Sequence, residues 1–444
     1  MPAAPVYTRH MNTAATIAAN AAITAANAAI AGAARQPGPA NSAGGTAQRG
    51  DTAAADLAPT LQRLRDAWQA SKPDYAQRHA DLQRLRDALK RKLDAMATTI
   101  AADFGHRPHA ESVVADGMTV LNDIDHLLKH LRRWMKPSRA GVGWRFLPAR
   151  AQVRPVPVGV VGVIAPWNYP VNLSLIPLAT AIAAGNHVYL KPSEHTPKTS
   201  QFLRELLAEV FPPDRVAVAT GGAEIGAAFA GLPFDHLVFT GSTAVGRKVM
   251  AAAAPNLTPL TLELGGKSPA LIADDYPIER AAARIATGKW FNGGQTCIAP
   301  DYVLVPKGKR DALVKALRAE VLARYGEHFE NVGDYARIIN DGQFARLKGY
   351  LDDAKQRGIE KVTLAGHADP AQRLMPPTLL LDPGDDATVM QEEIFGPLLP
   401  IKSYRTLDEA IAYINAHDRP LALYPFSHDN ATVEKILHHT LAGG

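Results

Sequence analysis

Between residues 160 and 263, short runs of apolar and β-branched residues alternate with stretches of helical character, and this rhythm restricts the architecture more than any other feature of the chain. The segments 160–164, 187–190, 216–219, 236–240 and 259–263 read as strands, and 173–184, 198–210, 223–230 and 244–253 read as the helices between them. Parallel neighbours need a crossover, so this alternation predicts an α/β fold with a doubly wound parallel sheet, whose ligands gather beyond the carboxyl ends of its strands. A second α/β set follows, with strands at 270–272, 302–305, 361–364, 379–381, 398–404 and 421–426 and helices at 310–324 and 407–416. At 444 residues the chain has room for two or three domains.

The front of the chain is different. Residues 11–34 carry no charge and are mostly alanine, with Asn12, Asn20, Asn27 and several threonines making them too polar to span a bilayer. A Gly, Pro, Ser and Ala-rich stretch follows to Thr52, so residues 1–55 are expected to be a disordered extension and linker outside the fold. The phrase LQRLRDAWQ at 61–69 returns as LQRLRDALK at 82–90, but Lys72-Pro73 interrupts it, which predicts two amphipathic helices rather than a coiled coil. A third helix is expected over about 110–134.

Charge and cysteine content narrow the chemistry. A net charge of +5 is mild, and its densest part is the run from Lys129 to Arg154, with eight basic residues, no acidic one, and Trp134, Trp144 and Phe146 interleaved. A solvated helix end and linker explains this run better than a nucleic-acid patch. The chain has one cysteine, Cys297, so neither an internal disulfide nor a multi-cysteine zinc site can form, and no metal site is expected. That thiol is either core filling or a reactive nucleophile.

Familiar phosphate and hydrolase motifs fail. No Gly-x-Gly-x-x-Gly follows the first strand, Gly266-Lys267-Ser268 lacks the P-loop's earlier glycine because position 261 is Thr261, and the serine-hydrolase elbow misses at Ala270. What remains is a series of segments at strand ends. These are Pro166-Trp167-Asn168-Tyr169-Pro170, Lys191-Pro192-Ser193-Glu194, the stretch Phe239 to Gly246, Glu263-Leu264-Gly265-Gly266-Lys267, Phe291 to Cys297, and Glu392 to Pro397. Six such segments in one order over about 230 residues resemble the aldehyde dehydrogenase superfamily, most closely its bacterial coniferyl-aldehyde and class 3 branch, from about residue 57 to the end.

The resemblance implies a Rossmann-like NAD-binding domain, residues 56–135 with 155–264, joined to an α/β catalytic domain at 265–444. Residues 136–154 would form a bridging or oligomerisation segment. It implies an oxidoreductase that takes an aldehyde to its acid with NAD, or with NADP as the alternative. A thiolate adds to the carbonyl, hydride leaves for the nicotinamide, and water resolves the thioester. Cys297 is the implied nucleophile, Asn168 the oxyanion donor together with the Cys297 backbone N–H, and Glu263 the general base. A free thiol is only a few per cent thiolate at pH 7, so the site must lower its pKa or supply a base.

Pro166, Trp167, Lys191, Ser193, Glu194, Gly241, Ser242, Gly246, Glu393 and Phe395 are the implied cofactor residues, with Glu194 favouring NAD. Tyr169, Trp290 and Phe291 adjoin these motifs and either line an apolar substrate tunnel or pack in the core. The expected substrate is an aromatic aldehyde, with long- or medium-chain fatty aldehydes or CoA-acylating oxidation as alternatives. Relatives continue for several tens of residues beyond Gly444, so the sequence reads as truncated at that end. A homodimer is expected were that end complete. The expected setting is cytoplasmic, with neither a membrane nor a nucleic-acid partner.

Overall fold

A computed structural model of the chain describes residues 51–328 and 333–443, so the alanine-rich residues 1–50 lie outside the described residues. The fold starts earlier than the sequence suggests. A helix runs over Ala54–Ala70, and Thr52 exchanges hydrogen bonds with Thr220 beside the sheet, so residues 51–55 belong to the ordered structure. Helices Tyr75–Arg91, Leu93–Phe104 and Thr119–Trp134 follow, the middle one unmarked in the sequence reading. The expected single helix near 110–134 is broken into a short turn at His109–Ser112 and a π turn at Val113–Met118 before the last of these begins.

Residues 136–154 form an exposed antiparallel pair, β1 (Ser138–Ala140) and β2 (Ala151–Val153). The predicted parallel sheet comes next, as β3 (Val160–Ile164), β4 (His187–Lys191), β5 (Val216–Val218), β6 (His236–Thr240) and β7 (Leu260–Glu263). Their order is β5-β4-β3-β6-β7, every pair parallel. The chain winds outward from β3 in one direction and from β6 in the other. The topological switch therefore falls between these two strands, where an open α/β sheet presents its crevice. Burial on both faces explains why β3 reads as an unbroken apolar run and why Val188, Tyr189 and Leu190 fill the middle of β4.

A six-stranded sheet follows, ordered β10-β11-β12-β9-β8-β13, with only β10 antiparallel to its neighbour. Its strands are β8 (Pro269–Ile272), β9 (Tyr302–Pro306), β10 (Glu360–Thr363), β11 (Thr378–Leu381), β12 (Leu398–Tyr404) and β13 (Tyr424–Phe426). The last strand is shorter than expected. Three helices unmarked in the sequence reading, Ile278–Trp290, Asp341–Gln356 and Asn430–His439, belong to this half. Trp290 is wholly buried among Ile285, Val303 and Leu399, and its indole N–H donates to the Pro397 carbonyl. It is therefore core packing, which removes it from the expected substrate wall.

Candidate active site

The loops leaving β3, β4, β6 and β7 carry most of the residues singled out from the sequence. Pro166 and Trp167 are half-buried just after β3, and Asn168 beyond them is buried. The side-chain amide of Asn168 has no hydrogen-bond partner among the described residues, while its backbone carbonyl accepts from Arg107 Nη1 at 3.2 Å and from Asn292 Nδ2 at 3.1 Å. Tyr169 is buried under the Arg107 guanidinium, 4.9 Å from its ring centre, and its hydroxyl shares a 2.5 Å hydrogen bond with Thr296 Oγ1, next to Cys297. Phe291 is half-buried at the start of the turn that leads to the cysteine.

At the end of β4, buried Lys191 reaches Glu194 Oε2 at 2.8 Å. Burial works against the Glu194 carboxylate, but the charge and hydrogen bond of Lys191 outweigh it and hold the carboxyl below its ordinary range. Ser193 is buried beside them, its hydroxyl accepting from the His195 N–H. After β6, Gly241 spends its N–H on the Glu263 carbonyl, so it offers close approach rather than a donor. Ser242 caps the helix Thr243–Ala253 by accepting from the Val245 N–H. The first turn of that helix carries N–H groups with no intrahelical acceptor, beside the switch point, and such a helix start suits an anion. A Cβ at Gly246 would strike Leu264, so the helix packs closely here. This donor set fits a dinucleotide.

Cys297 follows a tightly built turn. Asn292, Gly293 and Gly294 take φ values of 53°, 60° and 77° in succession, a left-handed run that glycine tolerates and asparagine tolerates best among the others. A Cβ on Gly294 would lie 2.2 Å from the Gly396 carbonyl oxygen. Buried Gln295 locks the turn, donating to the carbonyls of Asn292 and Arg337 and accepting from the Ile339 N–H.

The thiol itself is half-buried and pushed up to about 11. Burial is the largest cause and the Glu393 charge the next; the backbone N–H groups of Cys297 and Ile298 pull the other way, and Glu263 adds to the rise. The protein alone thus does not lower the thiol's pKa, which leaves a base or the charge of a bound group to activate it. Glu263 closes β7 with its side chain accessible at the crevice, yet the surrounding wall desolvates it enough to raise its pKa. A carboxyl so placed holds a proton more readily than a free one.

Glu393 approaches from the other half of the molecule. A Cβ at Gly265 would fall 2.1 Å from its Oε1, so only glycine admits the carboxylate there. Burial and the charge of Asp301 push Glu393 up to about 7, against the Gly266 N–H and the cations Arg346 and Lys267. The same cations fix its loop, Arg346 donating to the Glu393 and Ile394 carbonyls and Lys267 to the Val389 and Glu392 carbonyls. Phe395 sits at φ 47° with its ring 5.3 Å from that of Trp167, edge to face, which joins the two halves over the crevice. Sequence reasoning passed over Arg107, Glu111, Asp116, Asp301 and Arg346 and gave Lys267 no role, and each of these makes contacts distant in sequence.

Two mostly parallel sheets with helices between their strands, the first with its switch point between β3 and β6, define the class as a two-part α/β protein. The chain belongs to the aldehyde dehydrogenase family, whose model matches residues 10–444, and its members are NAD(P)-dependent enzymes that oxidise aldehydes. It is 51% identical over 372 residues to a probable coniferyl aldehyde dehydrogenase of Pseudomonas aeruginosa, covering 84% of this chain and 78% of that one. The coniferyl aldehyde dehydrogenase of a Pseudomonas species is 42% identical, covering 88% and 82%. A substrate-bound structure of AldH from Staphylococcus aureus superposes with a TM-score of 0.83 at 36% identity, over 87% of this chain and 83% of that one. No helix among the described residues is long and apolar enough to cross a membrane.

Proposed function

We propose that the chain oxidises an aromatic aldehyde of the coniferyl type to its carboxylic acid, with Cys297 as nucleophile and NAD as the hydride acceptor. The observation that carries this reading is that the sole thiol feels the charge of Glu263 at the end of β7, while the turn before it is tied through Asn292 to the Asn168 loop, whose side-chain amide has no partner among the described residues. The Cys297 thiolate adds to the carbonyl carbon, and Asn168 with the Cys297 N–H steadies the oxyanion of the resulting thiohemiacetal. A nicotinamide, when bound, would supply the hydride acceptor; loss of hydride from the thiohemiacetal carbon converts it to a thioester on Cys297. Glu263 then takes a proton from the water that cleaves the thioester, and the acid departs.

Lys191 and Glu194 would hold the adenosine ribose, the helix after Ser242 the pyrophosphate, and Glu393 with Phe395 the nicotinamide ribose. On this reading residues 56–135 and 155–264 bind the cofactor and 265–444 supply the thiol. The exposed Trp144, Phe146 and Leu147 of the β1–β2 connection support a role for 136–154 in pairing with a second copy. Glu263 favours hydrolysis over CoA transfer, because CoA needs no water-activating carboxylate.

The test is NADH formation followed by fluorescence, with coniferyl aldehyde and NAD. Cys297→Ala should form no NADH. Glu263→Gln should retain a first-turnover burst followed by turnover slowed about 100-fold or more, the range that general acid–base catalysis typically contributes. Wild-type turnover in Glu263→Gln would overturn the base assignment.

A further inference from the structure

Beneath the crevice lies a buried charged cluster that the reaction as described does not use. Arg107 and Asp116 have fully buried side chains, and the guanidinium Nη2 stands 3.1 Å from Asp116 Oδ2 without the alignment of a hydrogen bond. The aligned bond from this guanidinium goes instead to the Asn168 carbonyl, while its face lies over the Tyr169 ring and near that of Phe104. Burying a cation is costly unless its partners are fixed, so the surroundings hold this side chain in one place.

Asp116 sits in the π turn, a departure from regular helix that often accompanies function. Its Oδ1 accepts from the N–H groups of Val171 and Asn172, capping the helix Asn172–Ala183 that follows the Asn168 loop. Asn172 returns the contact, its amide donating to the Ala115 carbonyl and Thr119 hydroxyl. The π turn and the Asn168 loop are thereby interlocked. Four residues after Arg107, Glu111 accepts from the Asn292 N–H at 3.1 Å, at the first left-handed residue before Cys297. Asn292 Nδ2 in turn donates to the Asn168 and Gln295 carbonyls. The Asn168 carbonyl is thus the junction between the loop that carries the amide and the turn that carries the thiol, and Arg107 and Asn292 clamp it from two sides.

We infer that Arg107 is a positioning residue for oxyanion stabilisation, setting the Asn168 amide against Cys297 by pinning the Asn168 carbonyl, with Asp116 and Glu111 fixing the two segments that meet there. This rests on the proposed role of Asn168. Donors aimed at an oxyanion act through their placement, and losing one typically lowers turnover 100- to 1000-fold. A misplaced donor loses part of that.

The test is a double-mutant cycle on the first-turnover NADH burst, with saturating NAD and coniferyl aldehyde, using Asn168→Ala, Arg107→Met and the double variant. Asn168→Ala should slow the burst about 100-fold and Arg107→Met at least tenfold, and the double variant should match Asn168→Ala, because Arg107 acts through the amide that is gone. Iodoacetamide should alkylate Cys297 within about threefold of the wild-type rate in all three. A merely structural arginine would multiply its loss with that of Asn168→Ala, or would disturb the thiol as well; either result overturns the inference while leaving the oxyanion role of Asn168 standing. A normal burst in Asn168→Ala would overturn that role and the inference with it. Should Arg107→Met fail to fold, Arg107→Lys, which keeps the charge and one donor, enters the same cycle. A burst slowed threefold or more and non-additive with Asn168→Ala supports the inference, and a wild-type burst or a multiplied loss overturns it.

Discussion

The elevated thiol of Cys297 makes a direct prediction about the protein without cofactor. Raising a thiol from 9.0 to about 11 corresponds to roughly 3 kcal/mol against the thiolate, at about 1.36 kcal/mol per unit. At pH 7 the reactive fraction then falls from about one in a hundred to about one in ten thousand. Because the chain has a single cysteine, total thiol consumption by iodoacetamide reads Cys297 alone. The alkylation rate should climb about tenfold per pH unit from 8, where Glu393 is ionised, to 9.5 without a plateau, since only the thiolate reacts.

Burial is the larger cause, and the charge of Glu393 the next. Glu393→Gln should therefore be alkylated several-fold faster than wild type at pH 9. Glu393 itself titrates near 7, so below pH 6 its carboxyl is protonated in the wild type and the two proteins should react alike. A plateau at or below pH 8.5 in the cofactor-free wild type would refute the raised thiol. Equal rates at pH 9 would refute the part assigned to Glu393.

Two further substitutions probe the turn and the core. Gly294→Ala places a methyl group against the Gly396 carbonyl at a left-handed φ, so it should cost about 2–4 kcal/mol in chemical denaturation and reduce turnover by displacing Cys297; unchanged stability would contradict the tight turn. Trp290→Ala should cost about 3–5 kcal/mol as a core truncation, whereas Trp290→Phe should keep the KM for coniferyl aldehyde within about twofold, and a large KM change in the latter would restore Trp290 to the substrate wall.

The five strands of the parallel sheet were legible because each buried run has its own length and turn signals, and β3 and β6 match their predicted limits residue for residue. Four of the six segments expected at strand ends do lie there, whereas Phe291 to Cys297 follows the helix Ile278–Trp290 and Glu392 to Pro397 precedes β12. A switch-point crevice draws its groups from short loops, so the residues that matter are clustered in sequence as well as in space. Trp290 shows the limit of that logic, since this residue, seven positions before the cysteine, is wholly buried in the core.

Arg107 shows the other limit. Its partners are 61 residues away at Asn168 and nine away at Asp116, across a π turn that no periodicity announces, so nothing in FGHRPHAES distinguishes a buried arginine from a solvated one. Local pattern thus locates the groups assigned here to the reaction, while the groups that hold them in place are specified by contacts between distant segments. The separation has a physical origin. A side chain that reaches the crevice sits on a strand end or on a short turn such as the one before Cys297, whereas a side chain that holds it rigid approaches from behind, on an element the sheet's own rhythm does not describe.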